Sequence, residues 1–305
     1  MGNYYCMMAG LPEINLSDSM PSVSLQEVRE QCEEVLNKAD KQLLYYYYLH
    51  WDCQNIVKLL KNPDAELEIF GNFTMEQYQD LLTSAREMNF NVHRYPAFMS
   101  MFARDYSYNK DKAGFYAEDE MMYQYLRFAM KCPNKMIRQW YSMQLDINNI
   151  LTAMIARQNG WNIAEFIQGS NEVTEMILTN KTKDFDLSNE LDYVKELMKI
   201  VEEPDPVQKE RRIDAFKWVW LDEKTFLEPF SIESVFAYLC KLEMLHRWEV
   251  LDPEKGKETF RRIIDDLRGE AKVPDEFKAK TAAASRGRYT HQRSSEQLVG
   301  EDKLV

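Results

Sequence analysis

Two patterns in this chain have residue types and spacings that chemistry could use. The first is Glu243-Met244-Leu245-His246. On a helix this E-x-x-H sets a carboxylate and an imidazole on one face, which is half of the ligand set of a di-iron carboxylate bundle. The complete set needs a second E-x-x-H and two further glutamates. His50, His93 and His291 have no Glu three residues before them, and no H-x-x-x-H occurs. The chain also lacks a Gly-Lys-Ser/Thr phosphate loop, a G-x-G-x-x-G turn and a G-x-S-x-G nucleophile elbow. Asp and Glu number 50, so carboxylate pairs arise by chance and nominate no acid–base couple. The expectation is a protein that is not an enzyme, with no catalytic, cofactor or metal residues. A metallo-enzyme using Glu243 and His246 stands as a remote alternative.

The second pattern occurs three times. Tyr47-Tyr48-Leu49-His50-Trp51-Asp52-Cys53-Gln54-Asn55 is followed by Tyr141-Ser142-Met143-Gln144-Leu145-Asp146-Ile147-Asn148-Asn149 and then by Tyr238-Leu239-Cys240-Lys241-Leu242-Glu243-Met244-Leu245-His246. Each copy has Tyr, an apolar residue four later, an acid five later, and Asn or His eight later. Residues i, i+4 and i+8 form one ridge of a helix, and the acid lies about 60° round from its last member. The ridges are Tyr47-Trp51-Asn55, Tyr141-Leu145-Asn149 and Tyr238-Leu242-His246. A structural role follows from the chemistry of the groups. The carboxylate accepts backbone or tyrosine hydrogen bonds, and the amide caps a neighbouring helix end. The copies begin 94 and 97 residues apart, a period that belongs to a large helical module.

The elements that must position these residues are helices. Only 10 of 305 residues are Gly, while Leu, Met, Glu, Lys and Gln are plentiful. Ser24-Leu25-Gln26-Glu27 and Thr74-Met75-Glu76-Gln77 are capping boxes. The first predicts a helix to about Ala39. The helix bearing the first copy stops at Asn62-Pro63. Pro96 opens another at its first turn. Residues 118–130 read as helix, Cys132-Pro133-Asn134 breaks it, and the second copy rides a helix from about Lys135 to Asn159, closed by Gly160. Asn180 to Asp186 reads as a loop, and Ser188-Asn189-Glu190-Leu191 opens a helix ending before Pro204. Asp205-Pro206 and Asp252-Pro253 each place a cap before Pro at the first helical position. Ser231 caps the helix of the third copy, and the helix after Asp252 ends near Arg268-Gly269. Asn3 to Ile14 is apolar and reads either as a short strand or as a buried segment. The clustered aromatics Tyr45 to Tyr48, Trp218 and Trp220 read as core.

The formal net charge of −12 disfavours nucleic-acid binding. Cys6, Cys32, Cys53, Cys132 and Cys240 are scattered and read as reduced, mostly buried thiols. No signal peptide or bilayer-spanning stretch is expected. Met1-Gly2 is followed by Cys6 where a myristoylation site has Ser or Thr. Beyond Pro274 the chain is small and polar, with Lys278, Lys280, Arg286, Arg288 and Arg293 preceding an acidic end. That composition predicts a disordered tail.

The triplicated Tyr-x4-Asp-x2-Asn pattern resembles the C subunit of the V/A-type ATPases, whose eukaryotic counterpart is the d subunit. The opening Asn3-Tyr4-Tyr5-Cys6-Met7-Met8-Ala9-Gly10-Leu11-Pro12 resembles a bacterial family encoded beside V-type ATPase genes. The likeness spans about residues 1–268. It implies an all-α fold of three similar helical modules arranged as a funnel (1–110, 111–185 and 186–270), followed by a flexible tail (271–305). It implies a non-catalytic component of an ion-transporting, proton-transporting or sodium-transporting ATPase that couples the central stalk to the membrane rotor ring. Its partners would be the proteins of the central stalk and the ring. The stalk would meet the funnel's inner wall and the ring one outer end. The chain would act as a monomer within the complex, cytoplasmic and peripheral on the inner face of the cell membrane. Asp52 with Asn55 and Asp146 with Asn149 match the family's acid and amide positions; Glu243 and His246 depart from them. Lys58 and Lys61 in copy one, Arg157 in copy two and Arg247 in copy three stand for the basic residue that usually comes after the motif. The alternative from another class is a helical scaffold of an unrelated complex.

Overall fold

The computed structural model describes residues 4–16, 21–112 and 114–250, with the side chains of 249 and 250 excepted. The expected tail at 271–305, the Asp252-Pro253 cap, the helix stop near Arg268-Gly269 and the end of the third module lie outside the described residues. The chain forms two compact units, Met1–His246 and Arg247–Val305. All three motif copies lie in the first.

The fold is all-α. Eleven helices and two single 3₁₀ turns occur among the described residues, with no strand. They are α1 (Tyr5–Gly10), α2 (Leu25–Val35), α3 (Lys38–Lys61), α4 (Met75–Arg86), α5 (Ala97–Asn109), α6 (Ala117–Ala129), α7 (Lys135–Gln158), α8 (Glu172–Thr179), α9 (Val194–Glu202), α10 (Pro206–Thr225) and α11 (Ile232–Val250). The motif copies fall on α3, α7 and α11. Neither α3 nor α7, the two longest, nor any other described helix is long and apolar enough to cross a membrane.

Local chemistry sets most boundaries. Ser24 and Thr74 close capping boxes with Glu27 and Gln77, and Asn171 closes a third with Thr174. Asn37, Asn134 and Asp205 accept from the first-turn amides of α3, α7 and α10. Gly160, at φ +70°, ends α7 in a paired motif: Gly160 N donates to Arg157 O and Trp161 N to Ala156 O. The same bonds end α4, with Met88 N to Ala85 O and Asn89 N to Ser84 O, yet there the left-handed position is Met88 at φ 56°.

Four boundaries differ from expectation. Asn3 to Ile14 contains helix α1, fixed because Tyr4 N donates to Phe230 O and the Tyr4 hydroxyl to Asp40. The α2 helix stops at Val35 because Asn37 starts α3. Pro96 sits at the cap and not inside the first turn. The segment 187–189 is a 3₁₀ turn, and helix resumes only at Val194.

One apolar core runs from Tyr4 to Leu245. Within it the packing order recurs: α5 lies on α3 and α6, as α9 lies on α7 and α10. The expected aromatics are core: Tyr47, Tyr48 and Trp218 are buried, and Tyr45, Tyr46 and Trp220 pack against them. All five cysteines are free, and four are buried.

Candidate functional site

In copy one the acid and the amide hold the loop between α3 and α4. Asn55 is fully buried and pairs with a single peptide in both senses: its Nδ2 donates to Glu68 O at 2.9 Å and its Oδ1 accepts from Glu68 N at 2.8 Å. A primary amide matches the donor and acceptor of a peptide edge, which a carboxylate cannot do. Asp52, also fully buried, receives four donors. Oδ2 accepts from Asn72 N (2.9 Å) and Asn72 Nδ2 (2.7 Å); Oδ1 accepts from Phe73 N (3.0 Å) and the Tyr78 hydroxyl (2.6 Å). Asn55 Nδ2 also donates to the Tyr78 oxygen at 3.0 Å, so one line of donation runs from Asn55 through Tyr78 to Asp52. Burial raises the Asp52 pKa above the ordinary carboxyl value, and the four donors pull it back only in part.

Two further residues complete this clamp. From α2, Arg29 donates to Phe70 O (2.7 Å) and Gly71 O (3.1 Å), with its guanidinium 4.4 Å above the Tyr48 ring. Gly71 permits the close approach: a Cβ there would stand 2.5 Å from both Asp52 Oδ1 and the Tyr78 oxygen. The loop's polar backbone is therefore bonded at Glu68, Phe70, Gly71, Asn72 and Phe73, which satisfies the groups of this partly buried non-helical segment.

Copy two repeats the amide's work closely and the acid's only partly. Asn149 Nδ2 donates to Gln168 O at 2.8 Å, and its Oδ1 accepts from Gln168 N at 2.9 Å. Asp146 accepts from Asn171 Nδ2 at 3.0 Å. That asparagine also caps α8, so the acid steadies the residue that starts the next helix. Burial raises the Asp146 pKa, opposed by the Asn171 bond. At Asp52 the carboxylate accepts the expected backbone and tyrosine donors, whereas Asp146 accepts a side-chain amide instead. Expectation and structure differ on the amide. Asn55 and Asn149 cap no helix; each pairs with a loop peptide, because the chain returning from the helix end passes along their edge.

Copy three departs. Glu243 Oε1 lies 3.2 Å from His50 Nε2, so the third acid meets a residue inside copy one. Tyr238 donates to Pro12 O at 3.0 Å, whereas Tyr47 donates to Leu239 O on α11 at 3.1 Å. The three motif helices converge at Phe236, whose ring is 5.9 Å from that of Tyr47 and 6.1 Å from that of Tyr141. His246 is exposed at the last turn of the first unit. Among the described residues no group of three or more His, Cys, Asp or Glu is placed to hold a metal ion.

Two of the basic residues after the motifs, Lys58 and Arg157, also serve loops. Lys58 pairs with Glu68 at 2.5 Å, the residue whose peptide Asn55 holds. Lys61 bonds Glu118 at the start of α6. Arg157 donates to Asn180 O at 3.0 Å and to Thr182 O, with its guanidinium 3.9 Å over the Phe185 ring. Arg247 lies 5.8 Å from the Trp248 ring in the second unit. Away from the motifs, a cleft of about 290 Å³ is bordered by Arg86, Arg104, Tyr106, Tyr108 and Lys110. Arg104 is tied to Asp105, and Arg86 and Lys110 stand at the C-terminal ends of α4 and α5, where cations offset the helix dipoles. The cleft shares no residue with the clamps.

Sequence reasoning missed Arg29, Gly71, Asn72, Tyr78, Gln168 and Asn171. The available signals were faint: a Gly near the end of each post-motif loop (Gly71, Gly169) and an Asn before the next helix (Asn72, Asn171).

This chain belongs to the family described as a protein of unknown function, DUF2764, whose profile matches residues 1–271. No curated protein and no solved structure matches it.

Proposed function

We propose that this protein is a non-catalytic component of a V/A-type ATPase, similar to its C subunit, coupling the central stalk to the membrane rotor ring during ion transport. The observation that carries this reading is the equivalence of the first two motif copies. Buried Asp-x-x-Asn pairs on two long helices hold the returning loop by the same reciprocal amide bond. Side chains engaged in this way fix the angle between a long helix and its successor. They are satisfied within the chain and leave no poised acid or base, which suits a part that transmits torque. Stiffness is what torque transmission needs, and close-packed helices tied at both ends supply it. The partners under this reading are the proteins of the stalk and the ring, with membrane contact only through the ring.

The test is purification of the ATPase from cells with and without this chain. The proposal expects the stalk and ring to separate, and ATP hydrolysis to uncouple from ion movement, when the chain is absent. A complete, rotating, coupled complex lacking it would overturn the proposal. The second reading, a helical scaffold of an unrelated complex, draws on the departure of copy three, where Glu243 meets His50 and not a loop. Stable association with a different assembly and none with the ATPase would favour it.

A further inference from the structure

The residue that sets copy three apart also joins it to copy one through a titratable contact. His50 is partly buried on α3, with Nδ1 2.9 Å from Tyr47 O and Nε2 3.2 Å from Glu243 Oε1 on α11. A carbonyl oxygen only accepts, so Nδ1 must carry a hydrogen. In the neutral ring that hydrogen leaves Nε2 as a lone pair facing a carboxylate. Both contacts are attractive only when a second proton lies between Nε2 and Oε1. The ring lies against Trp51, with centroids 3.7 Å apart and planes tilted by 35°, a contact that favours a cation.

We propose that His50 and Glu243 form a proton-dependent latch between α3 and α11, closed while the imidazole carries two protons and released when it loses one. The groups facing it from each packed element agree. On α3 these are the Tyr47 carbonyl, the Tyr47 hydroxyl, which also hydrogen-bonds Glu243, and Asp52; on α6, the Tyr125 ring at 6.2 Å; on α11, Glu243 and Cys240; and Tyr141 of α7 packs against Tyr125. The tyrosines and the thiol are neutral in this range, because burial raises all four, and the Glu243 charge adds to the rise at each. Burial alone lowers the His50 pKa. The Glu243 charge and hydrogen bond, the Tyr47 carbonyl and Asp52 outweigh it, leaving the midpoint above the ordinary imidazole value. A midpoint raised by folding gives stability that is complete below about pH 6.5, the unfolded value, and is lost as pH rises through the folded midpoint. The latch thus grips below about pH 6.5 and lets go as the pH rises through the folded midpoint. A second α3–α11 bond, from the Tyr47 hydroxyl to Leu239 O, does not involve the imidazole and holds the helices together when the latch is open.

The test is an NMR titration of the histidine ring protons of the full chain from pH 5 to 9.5, with His50 assigned by its disappearance in His50→Gln. The latch predicts a midpoint above 6.5 that falls by about one unit or more in Glu243→Gln, since removing the charge leaves burial dominant. Amide exchange over residues 240–246 gives a second readout. The wild type should exchange several-fold more slowly than Glu243→Gln at pH 6, and the two rates should converge as pH passes the His50 midpoint. A wild-type midpoint at or below 6.5 overturns the proposal. So does a rate ratio that does not change with pH.

Discussion

The clamps built by α3 and α7 start from the same two residues and end with different strength. Asn55 and Asn149 make reciprocal peptide bonds whose lengths agree within 0.1 Å. Asp52 collects four donors from Asn72, Phe73 and Tyr78, whereas Asp146 has one bond from Asn171. Around Asp52 the loop also has Arg29 on its outer carbonyls and Gly71 against the carboxylate. Around Asp146 the corresponding glycine, Gly169, lies at φ +94°, and a Cβ there would only touch Tyr123 at 3.4 Å. The difference teaches that the amide is the constant part of these two clamps. The carboxylate's role grows with the number of donors that the next loop brings to it.

Mutations can break or sharpen that comparison. The largest effect is expected at Asp52. Asp52→Ala takes the acceptor from four donors, of which only Asn72 Nδ2 keeps another, Tyr45 O at 3.3 Å, and should destabilise the protein by about 3–4 kcal/mol, against about 1 kcal/mol for Asp146→Ala. Chemical denaturation of both variants measures this, and equal losses would erase the distinction. Gly71→Ala comes next, at roughly 2–3 kcal/mol, because its new methyl meets two polar atoms that are themselves fixed. Gly169→Ala should lose about 1 kcal/mol, from backbone strain alone. Asn55→Asp and Asn149→Asp should each cost about 2 kcal/mol, since each sets a carboxylate against a carbonyl oxygen and loses one donor. Here similarity is the prediction, and a gap wider than about 1 kcal/mol would show that the two amides are not equivalent. The smallest effects lie at the helix ends. Met88→Gly should stabilise α4 by about 0.5–1 kcal/mol by relieving a left-handed methionine, while Gly160→Ala should destabilise α7 by a similar amount. Thermal melts resolve both signs.

The residues that proved legible were those whose partners are close in sequence. Ser24, Thr74 and Asp205 cap helices by bonding amides two or three residues on, so the pattern was visible in the letters. The Asp-x-x-Asn pairs were also readable, as three copies of one spacing. Their partners were not. Asn55 reaches 13 residues ahead and Asn149 reaches 19, so no fixed offset links the amide to its peptide. Helix α1 escaped for a similar reason, since the Tyr4 amide and hydroxyl are anchored by Phe230 and Asp40. A six-residue helix has little intrinsic stability, and tertiary contacts decide whether it forms.

By itself the amino-acid order determined that this protein is helical, where most of its rods begin and end, and which acids and amides recur. Those properties depend on backbone geometry and caps acting over a few residues. Only the folded chain decided what the recurring groups do: that Asp52 gathers four donors, that Asp146 has one, and that Glu243 turns to His50. A hydrogen bond is made only at about 3 Å, and at that range the partner is set by how the loops return and which helices touch.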